Sequence, residues 1–90
     1  MKGLRVDKWL WFARFCKTRG QAQRLVDGGM VTVNGRLVER SSAVAPGDEI
    51  VIPLDPAGNR RGLRRLLVTA LGERRGPATL ARTLYEELSS

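Results

Sequence analysis

The stretch VTVNGRLV, residues 31–38, limits the fold of this 90-residue chain more than any other. Its apolar residues alternate with polar ones on both sides of Asn34 and Gly35. An Asn-Gly pair between alternating segments is the strongest short-range signal of a β-hairpin. Apolar runs at Ile50–Leu54 and Leu63–Leu71 predict two further strands, the second of which pairs back on the first. The middle of the chain is therefore predicted to form a small antiparallel sheet.

Helical periodicity comes before the hairpin. The apolar residues that follow the i, i+3, i+4, i+7 spacing are Val6, Trp9, Leu10, Ala13 and Cys16. They predict an amphipathic helix over residues 8–16, with Asp7 as its N-cap. Thr18 and Gln21 have the spacing of a capping box, which predicts a second helix over Arg19–Val26.

The last part of the chain has helical spacing again. Gly76 and Pro77 are expected to introduce a final helix over Ala78–Leu88. Its apolar face would hold Leu80, Ala81, Leu84 and Leu88. Two packed N-terminal helices, a small antiparallel sheet and a C-terminal helix together predict the α+β fold class, with residues 1–90 as a single domain.

The residue inventory excludes the common catalytic and metal sites. The chain has no His, one Cys and no cluster of carboxylates, so it can form neither a Cys/His zinc site nor a Ser/His or Cys/His nucleophile. The phosphate-binding glycine motifs of nucleotide enzymes are also missing. We therefore expect a protein that is not an enzyme and that needs no metal or cofactor.

Two features predict a cytoplasmic protein. The single cysteine, Cys16, cannot form an intramolecular disulfide, which fits a reducing compartment. No apolar run approaches the ~20 residues of a membrane span, and Lys8 precedes any apolar run of signal-peptide length. We expect a monomer with no membrane partner.

Positive charge is divided into two blocks. Residues 1–24 hold seven Lys or Arg against one Asp, and residues 60–82 hold seven Arg against one Glu. The segment between them is mildly acidic. A GC-rich genome that favours arginine codons would account for the net charge of +7, but it accounts less well for the segregation. The pattern indicates a polyanionic partner, with nucleic acid ahead of anionic lipid.

Four aromatic residues are concentrated in the first predicted helix. At about 100° per residue, Trp9 and Phe12 fall on its apolar side and are predicted to be core. Trp11 and Phe15 fall on the other side, where they either stack on unpaired bases or lie beneath the final helix. Packing is favoured for Phe15, and both alternatives stay open for Trp11.

The turn between the two helices is a candidate anion site. The start of a helix presents free N–H groups and the positive end of a dipole, so a cation there is mildly repelled. Arg19 occupies the first position of the second predicted helix. A phosphate between Arg19 and the helix start would make this cation favourable.

The pattern as a whole resembles the S-four RNA-binding domain, also called the alpha-L motif. The resemblance depends on the opening RVD, the Thr18-Arg19 step between the helices, the VTVNG hairpin and the GDEI strand, and it covers residues 5–52. The segments DKWLWFARFCKTR and LGERRGPA are more similar still to the ribosome-associated heat-shock proteins of about fifteen kilodaltons. On this resemblance, residues 60–90 form a family-specific strand and C-terminal helix.

The resemblance implies RNA binding without catalysis. The implied partners are structured ribosomal RNA, tRNA or both, on the large ribosomal subunit, in the rescue or recycling of stalled subunits that carry nascent chains. Matched by position, the RNA-binding residues are Arg5, Lys8, Arg14, Lys17, Thr18, Arg19, Gln23, Arg24, Asn34 and Arg36, and Trp11 joins them as the candidate stacking residue. A secondary basic patch either adds to this surface or is an ordinary solvated loop and strand edge. Its members are Arg60, Arg61, Arg64 and Arg65.

Two other functions are compatible with the same residues. The chain could act in trans as an RNA-targeting module for an RNA-modifying enzyme on a separate chain. It could also bind DNA or another protein through the surface around Trp11.

Overall fold

A computed structural model describes residues 3–88, which adopt an α+β fold. The helices are α1 (Val6–Phe12), α2 (Arg19–Asp27) and α3 (Ala78–Ala81), and a 3₁₀ turn follows at Arg82–Leu84. The strands are β1 (Leu4–Arg5), β2 (Thr32–Val33), β3 (Arg36–Leu37), β4 (Ala43–Val44), β5 (Glu49–Pro53), β6 (Leu63–Val68) and β7 (Tyr85–Leu88). The fold class predicted from the sequence is confirmed.

The strands form two antiparallel sheets. The larger sheet has the order β3-β2-β5-β6-β7, and β1 pairs with β4 in a separate two-stranded sheet. Ile50 of β5 lies opposite Leu66 of β6, and Leu66 in turn lies opposite Glu87 of β7. The predicted pairing of β6 with β5 is confirmed, although β6 ends at Val68 rather than at Leu71.

The Asn-Gly turn joins β2 to β3. Asn34 and Gly35 have positive φ values of 52° and 83°, as a two-residue type I′ turn requires. Asn34 also fastens the turn to β5, because its side-chain amide donates to Asp48 Oδ1 and its side-chain oxygen accepts from the Glu49 amide. The hairpin prediction is confirmed.

The first helix is shorter than predicted, and its N-cap differs. It begins at Val6, so Arg5 occupies the cap position and Asp7 lies fully buried within the first turn. It ends at Phe12, and Arg14 beyond it adopts a left-handed φ of 64°, which a right-handed helix cannot contain. The prediction of Asp7 as the N-cap is therefore wrong, and so is the predicted extent of the helix.

The second helix starts where the capping-box spacing predicts. Thr18 Oγ1 accepts a hydrogen bond from the Gln21 amide at 3.0 Å. The Gln21 side chain reaches back to the amide of Lys17, one residue before the cap, at 2.9 Å. The end of the turn that leads into α2 is thus held by the side chains of Thr18 and Gln21.

The predicted apolar stripe around α1 is buried. Its members are Val6, Trp9, Leu10, Phe12, Ala13 and Cys16, and they join a hydrophobic cluster that includes α2 and the inner face of the sheet. Trp9 satisfies its buried indole by donating Nε1–H to the Ala70 carbonyl at 3.0 Å. The core prediction for Trp9 and Phe12 is confirmed. Burial also raises the pKa of the Cys16 thiol to about 11.

The predicted C-terminal helix is wrong beyond its first turns. After α3 and the 3₁₀ turn, Tyr85–Leu88 is a strand that pairs with Arg65–Val68 of β6. The pairing satisfies backbone groups along one side of β6, which a helix at this position would leave to water. The spacing of the leucines does not predict this strand pairing, because the partner residues on β6 lie about 20 positions earlier in the chain.

Phe15 is covered by this C-terminal strand. Its ring centroid lies 4.6 Å from that of Tyr85 and 6.0 Å from that of Trp9. Packing rather than exposure is therefore correct for Phe15, but the covering residue is Tyr85 on β7 and not a helical face of Leu80 and Leu84.

Candidate nucleic-acid interface

A fully buried carboxylate, that of Asp7, joins α1 to α2. Arg5 donates to it twice, from Nε to Oδ1 at 3.2 Å and from Nη2 to Oδ2 at 3.1 Å. Gln23 of α2 donates from Nε2 to Oδ2 at 3.0 Å, and Arg19 Nε lies 3.6 Å from the same oxygen. These four residues, Arg5, Asp7, Arg19 and Gln23, are called the Asp7 cluster below.

The charge of Asp7 is stabilised by its neighbours. Burial raises the pKa of its carboxyl group, but the hydrogen bonds from Gln23 and Arg5 and the charges of Arg5 and Arg19 outweigh burial, so the pKa lies below its ordinary value. Asp7 therefore supplies the negative charge beside Arg19 that the sequence argument assigned to a phosphate. The side chains of Arg5 and Arg19 remain 43% and 38% exposed, although Arg19 Nε is itself buried and has no hydrogen-bond partner within residues 3–88.

Two further cations lie on either side of the start of α2: Lys17 precedes its cap, Thr18, and Arg24 lies in its last turn. Both are exposed, and within residues 3–88 neither has a carboxylate at salt-bridge distance. The guanidinium of Arg24 folds back over the first turn, so that its Nη1 lies 3.7 Å from the position a Cβ would take on Gly20. A Cβ at position 20 would therefore make an ordinary van der Waals contact with the Arg24 guanidinium.

A groove of about 800 Å³ separates α2 from the loop between β5 and β6. Arg24 lines it on the helix side, and Arg60 and Arg61 line it on the loop side. Its apolar lining includes Met30 and Leu63. The groove thus brings together arginines from both basic blocks of the sequence, and in the part of the chain that the structure describes none of the three pairs with a carboxylate.

The other half of the secondary basic patch is bound internally. Arg64 makes a bidentate pair with Glu87, at 2.9 and 2.7 Å, and its guanidinium carbon lies 4.8 Å from the centre of the Phe15 ring. Arg65 Nε donates to Glu49 Oε2 at 3.0 Å. The hydrogen bond from each arginine lowers the pKa of the carboxyl group it contacts. The four predicted residues of this patch therefore divide into an open pair and a bonded pair.

Lys8, Trp11 and Arg14 lie on the far side of α1 from its buried stripe or just after the helix. Lys8 Nζ lies 5.5 Å from the centre of the Phe12 ring, and Arg14 donates to the Gly76 carbonyl at 3.0 Å. Trp11 is half-buried, with the guanidinium carbon of Arg75 5.8 Å from the centre of its ring. Only part of the Trp11 ring is therefore accessible for stacking on an unpaired base. Within residues 3–88, no hydrogen bond or ion pair joins these three side chains to the Asp7 cluster.

The two predicted RNA-binding residues of the hairpin, Asn34 and Arg36, have different roles in the structure. Both polar ends of the Asn34 side chain are used inside the protein, so this residue shapes the turn. Arg36 is exposed on β3, opposite Val33, and within residues 3–88 it has no carboxylate at salt-bridge distance. The feature that the sequence argument missed is Asp7 as the shared partner of three predicted residues, and the RVD opening was its signal.

No group of three or more metal-ligating side chains converges within residues 3–88. No helix in that range is long and apolar enough to cross a bilayer, since α2 has 9 residues.

Comparison with known proteins places the chain in a family. The model of the S4 domain matches residues 4–50. Heat shock protein 15 of Escherichia coli K12 is 40% identical over 84 residues, which are 93% of this chain and 59% of that protein. The RQC P-site tRNA stabilizing factor of Bacillus subtilis is 39% identical over 49 residues, which are 54% of this chain and 57% of that protein. The chain thus spans about three fifths of the length of these curated relatives.

A solved structure agrees with both comparisons. The chain superposes on Heat Shock Protein 15 of Vibrio cholerae, described as trimeric, with a TM-score of 0.84 and 34% identity, covering 98% of this chain and 84% of that one. The helical pair, the hairpin and the following strand all lie in the matched range, together with the Asp7 cluster. The chain belongs to the S4 domain family and, within it, to the heat shock protein 15 group.

Proposed function

We propose that this protein binds structured RNA without catalysing a reaction. The observation that carries the proposal is a set of four cations for which no carboxylate lies at salt-bridge distance within residues 3–88: Lys17, Arg24, Arg60 and Arg61. Gln21 connects them, because its side chain is bonded to the Lys17 amide and also lines the groove that holds the three arginines. Surface cations without internal partners are the groups that bind phosphates.

The geometry suits recognition by shape and charge. The major groove of double-stranded RNA is too narrow for side chains, so proteins read the spacing of its phosphates. Asp7 restricts Arg5 and Arg19 to fixed positions before any RNA arrives, which lowers the entropy that is lost on binding. A rigid helical pair with cations at set distances is the form of site that this kind of recognition uses.

Residues 5–52 are proposed as the RNA-binding core. Residues 60–90 add the loop wall of the groove and the strand that covers Phe15. The proposed contacts of the core are Arg5, Lys17, Arg19, Arg24 and Arg36, and those of the loop are Arg60 and Arg61. Gln23 is proposed to support them, because its two polar ends are bonded to Asp7 and Arg40. Thr18 and Asn34 are proposed to act by holding the backbone around these contacts.

The proposed partner is ribosomal RNA of the large subunit, and tRNA is proposed as a second RNA partner. Two observations support this choice: the similarity to heat shock protein 15, and the similarity to a factor named for stabilising tRNA in the P site. Rescue or recycling of stalled large subunits in the cytoplasm is the corresponding proposed role. Sedimentation of cell extract through a sucrose gradient tests it, because the protein should travel with free large subunits and not with small ones.

Salt dependence tests RNA binding itself. If about six cations contact phosphates, the logarithm of the affinity for a structured ribosomal RNA fragment should fall with the logarithm of salt concentration with a slope of about −4 to −5. Lys17→Gln with Arg24→Gln should weaken binding and reduce the slope by roughly one for each residue.

The control removes the same charge elsewhere. Arg74 and Arg82 are both exposed and lie outside the proposed surface. Arg74→Gln with Arg82→Gln should leave the slope unchanged. A flat salt dependence of the wild type, or equal losses in the two double variants, would count against the proposed function.

The oligomeric state is a separate proposal. A monomer was predicted from the sequence, whereas the Vibrio cholerae relative is described as trimeric. We propose that this chain is a monomer, and light scattering over a dilution series tests this. A mass three times that of the chain would instead match the relative and overturn the proposal.

A further inference from the structure

We propose that the groove between α2 and the β5–β6 loop holds one unpaired nucleotide of the bound RNA. The inference rests on the proposed function and adds a substrate class to it: an RNA with a base displaced from the helix, rather than a continuous duplex. The base would lie against the apolar lining, and its phosphates would contact the arginines at the rim.

The size and lining of the groove fit such a ligand. Its volume of about 800 Å³ falls within the range of small-molecule sites, about 300–1,000 Å³. Met30 and Leu63, which line it, are 56% and 70% exposed. Apolar side chains that stay open in a chain this short, inside a concave surface with cations around it, indicate a site that a ligand covers.

The groove carries positive charge that is not neutralised by carboxylates within residues 3–88. Arg24, Arg60 and Arg61 line it, and within residues 3–88 no carboxylate lies at salt-bridge distance from any of them. The single acidic residue of the lining, Asp55, is already used, because its two oxygens accept from the amides of Ala57 and Asn59 at 2.9 and 3.2 Å. An anion that enters therefore meets three guanidinium groups and a carboxylate turned toward its own loop.

A nucleotide matches this combination better than the alternatives do. Duplex phosphates need the arginines but leave the apolar lining without a partner. A peptide strand would need an open sheet edge, whereas β6 pairs with all five residues of β5 on one side and β2 pairs with Ile50 and Val51 on the other, which leaves little of β5 open. A displaced nucleotide offers an apolar face for Met30 and Leu63 or for a guanidinium plane, and a phosphate for the arginines.

Two RNA hairpins test the proposal. They share one sequence, and one of them carries a single bulged uridine in the stem. The wild-type chain should bind the bulged hairpin about tenfold more tightly, which is near the lower end of what one stacked base contributes. Met30→Ser with Leu63→Ser should reduce this preference to less than about twofold while binding to the paired hairpin is kept.

The matched control is Leu80→Ser. Leu80 is also exposed, at 41%, but it lies on α3 and outside the groove. This variant should keep the full preference for the bulged hairpin, and thermal melts of all variants should show that each is folded.

The outcomes separate the inference from the proposed function. Equal affinity of the wild type for both hairpins overturns the nucleotide site and leaves RNA binding intact. Failure to bind either hairpin overturns the proposed function. A wild-type dimer in solution that Leu63→Ser abolishes would assign the groove to a second copy of the chain, and that result would also overturn the nucleotide site.

Discussion

Two pairs of arginines in one short segment behave in opposite ways. Arg60 and Arg61 lie in a loop, line an open groove and have no carboxylate at salt-bridge distance within residues 3–88. Arg64 and Arg65 lie on β6 and bond to Glu87 and Glu49. The sequence alone gives no sign of this difference, because all four residues carry the same charge within six positions.

The cause of the difference is the sheet. β6 has β5 on one side and β7 on the other, and each neighbouring strand brings a glutamate to it. Within residues 3–88 no carboxylate lies at salt-bridge distance from the two loop arginines, and Asp55 of the same loop is bonded to backbone amides. For these four arginines, a position between two strands that carry glutamates decides which are paired inside the protein.

Arg5 and Arg19 extend the comparison, since their carboxylate partner is buried. We expect Asp7→Asn to have the largest effect on stability, lowering the free energy of unfolding by about 1–3 kcal/mol. The reason is that the Arg5 guanidinium and the Gln23 amide lose a charged hydrogen-bond acceptor, while Arg19 loses its ion pair. Urea denaturation at pH 7 measures the loss, and a change below 0.5 kcal/mol would show that the cluster contributes little, because surface substitutions usually fall within about that value.

The contribution of Asp7 should also depend on pH. Its pKa is lowered in the folded chain, so the folded state holds this proton less tightly than the unfolded state does. The stabilisation is therefore complete above the unfolded value of about 3.9 and is lost as pH falls through the lower folded value. The difference between wild type and Asp7→Asn should shrink below about pH 4, and a difference that grows in acid would contradict the assignment.

Removing the charge of each arginine pair in turn tests the comparison between the loop arginines and the β6 arginines directly. Arg60→Gln with Arg61→Gln should weaken binding to the ribosomal RNA fragment by roughly tenfold, because two phosphate contacts are lost. Arg64→Gln with Arg65→Gln removes the same charge and should weaken it by less than about threefold. Fluorescence anisotropy at one salt concentration compares the two, and a reversed order would mean that the bonded arginines exchange their glutamates for phosphates.

The smallest effect is expected for the ion pair on the sheet surface. A double-mutant cycle of Arg64→Gln and Glu87→Gln should give a coupling free energy of less than about 1 kcal/mol, since both side chains are partly in water. Thermal or urea unfolding of the four proteins measures it. A larger coupling would imply that Arg64 holds Phe15 and β7 together as a unit.

Local signals predicted the first half of the fold well. The stripe around Trp9, the cap at Thr18 and the Asn34 turn all depend on residues within a few positions of each other. The strand at Tyr85–Leu88 depends on β6 instead, and the helical spacing of its leucines was misleading. Asp7 was misplaced for a similar reason, since its partner Gln23 lies 16 positions away.

The candidate site divides along the same line. The sequence identified the basic residues, but it could not predict which of them form ion pairs inside the protein. Arg64 and Glu87 are 23 positions apart, and only the register of β6 with β7 brings them together. The groove likewise needs the β5–β6 loop beside α2, a juxtaposition that no spacing in the sequence encodes.

The Asp7 cluster has a consequence for how the two helices move. One carboxylate receives hydrogen bonds from Arg5, at the start of α1, and from Gln23 of α2, so a change in the angle between the helices must displace the guanidinium groups as well. By thermodynamic reciprocity, a partner that immobilises those groups also resists separation of the helices. Binding of a partner to Arg5 and Arg19 and the packing of α1 against α2 are then thermodynamically coupled, so that each stabilises the other.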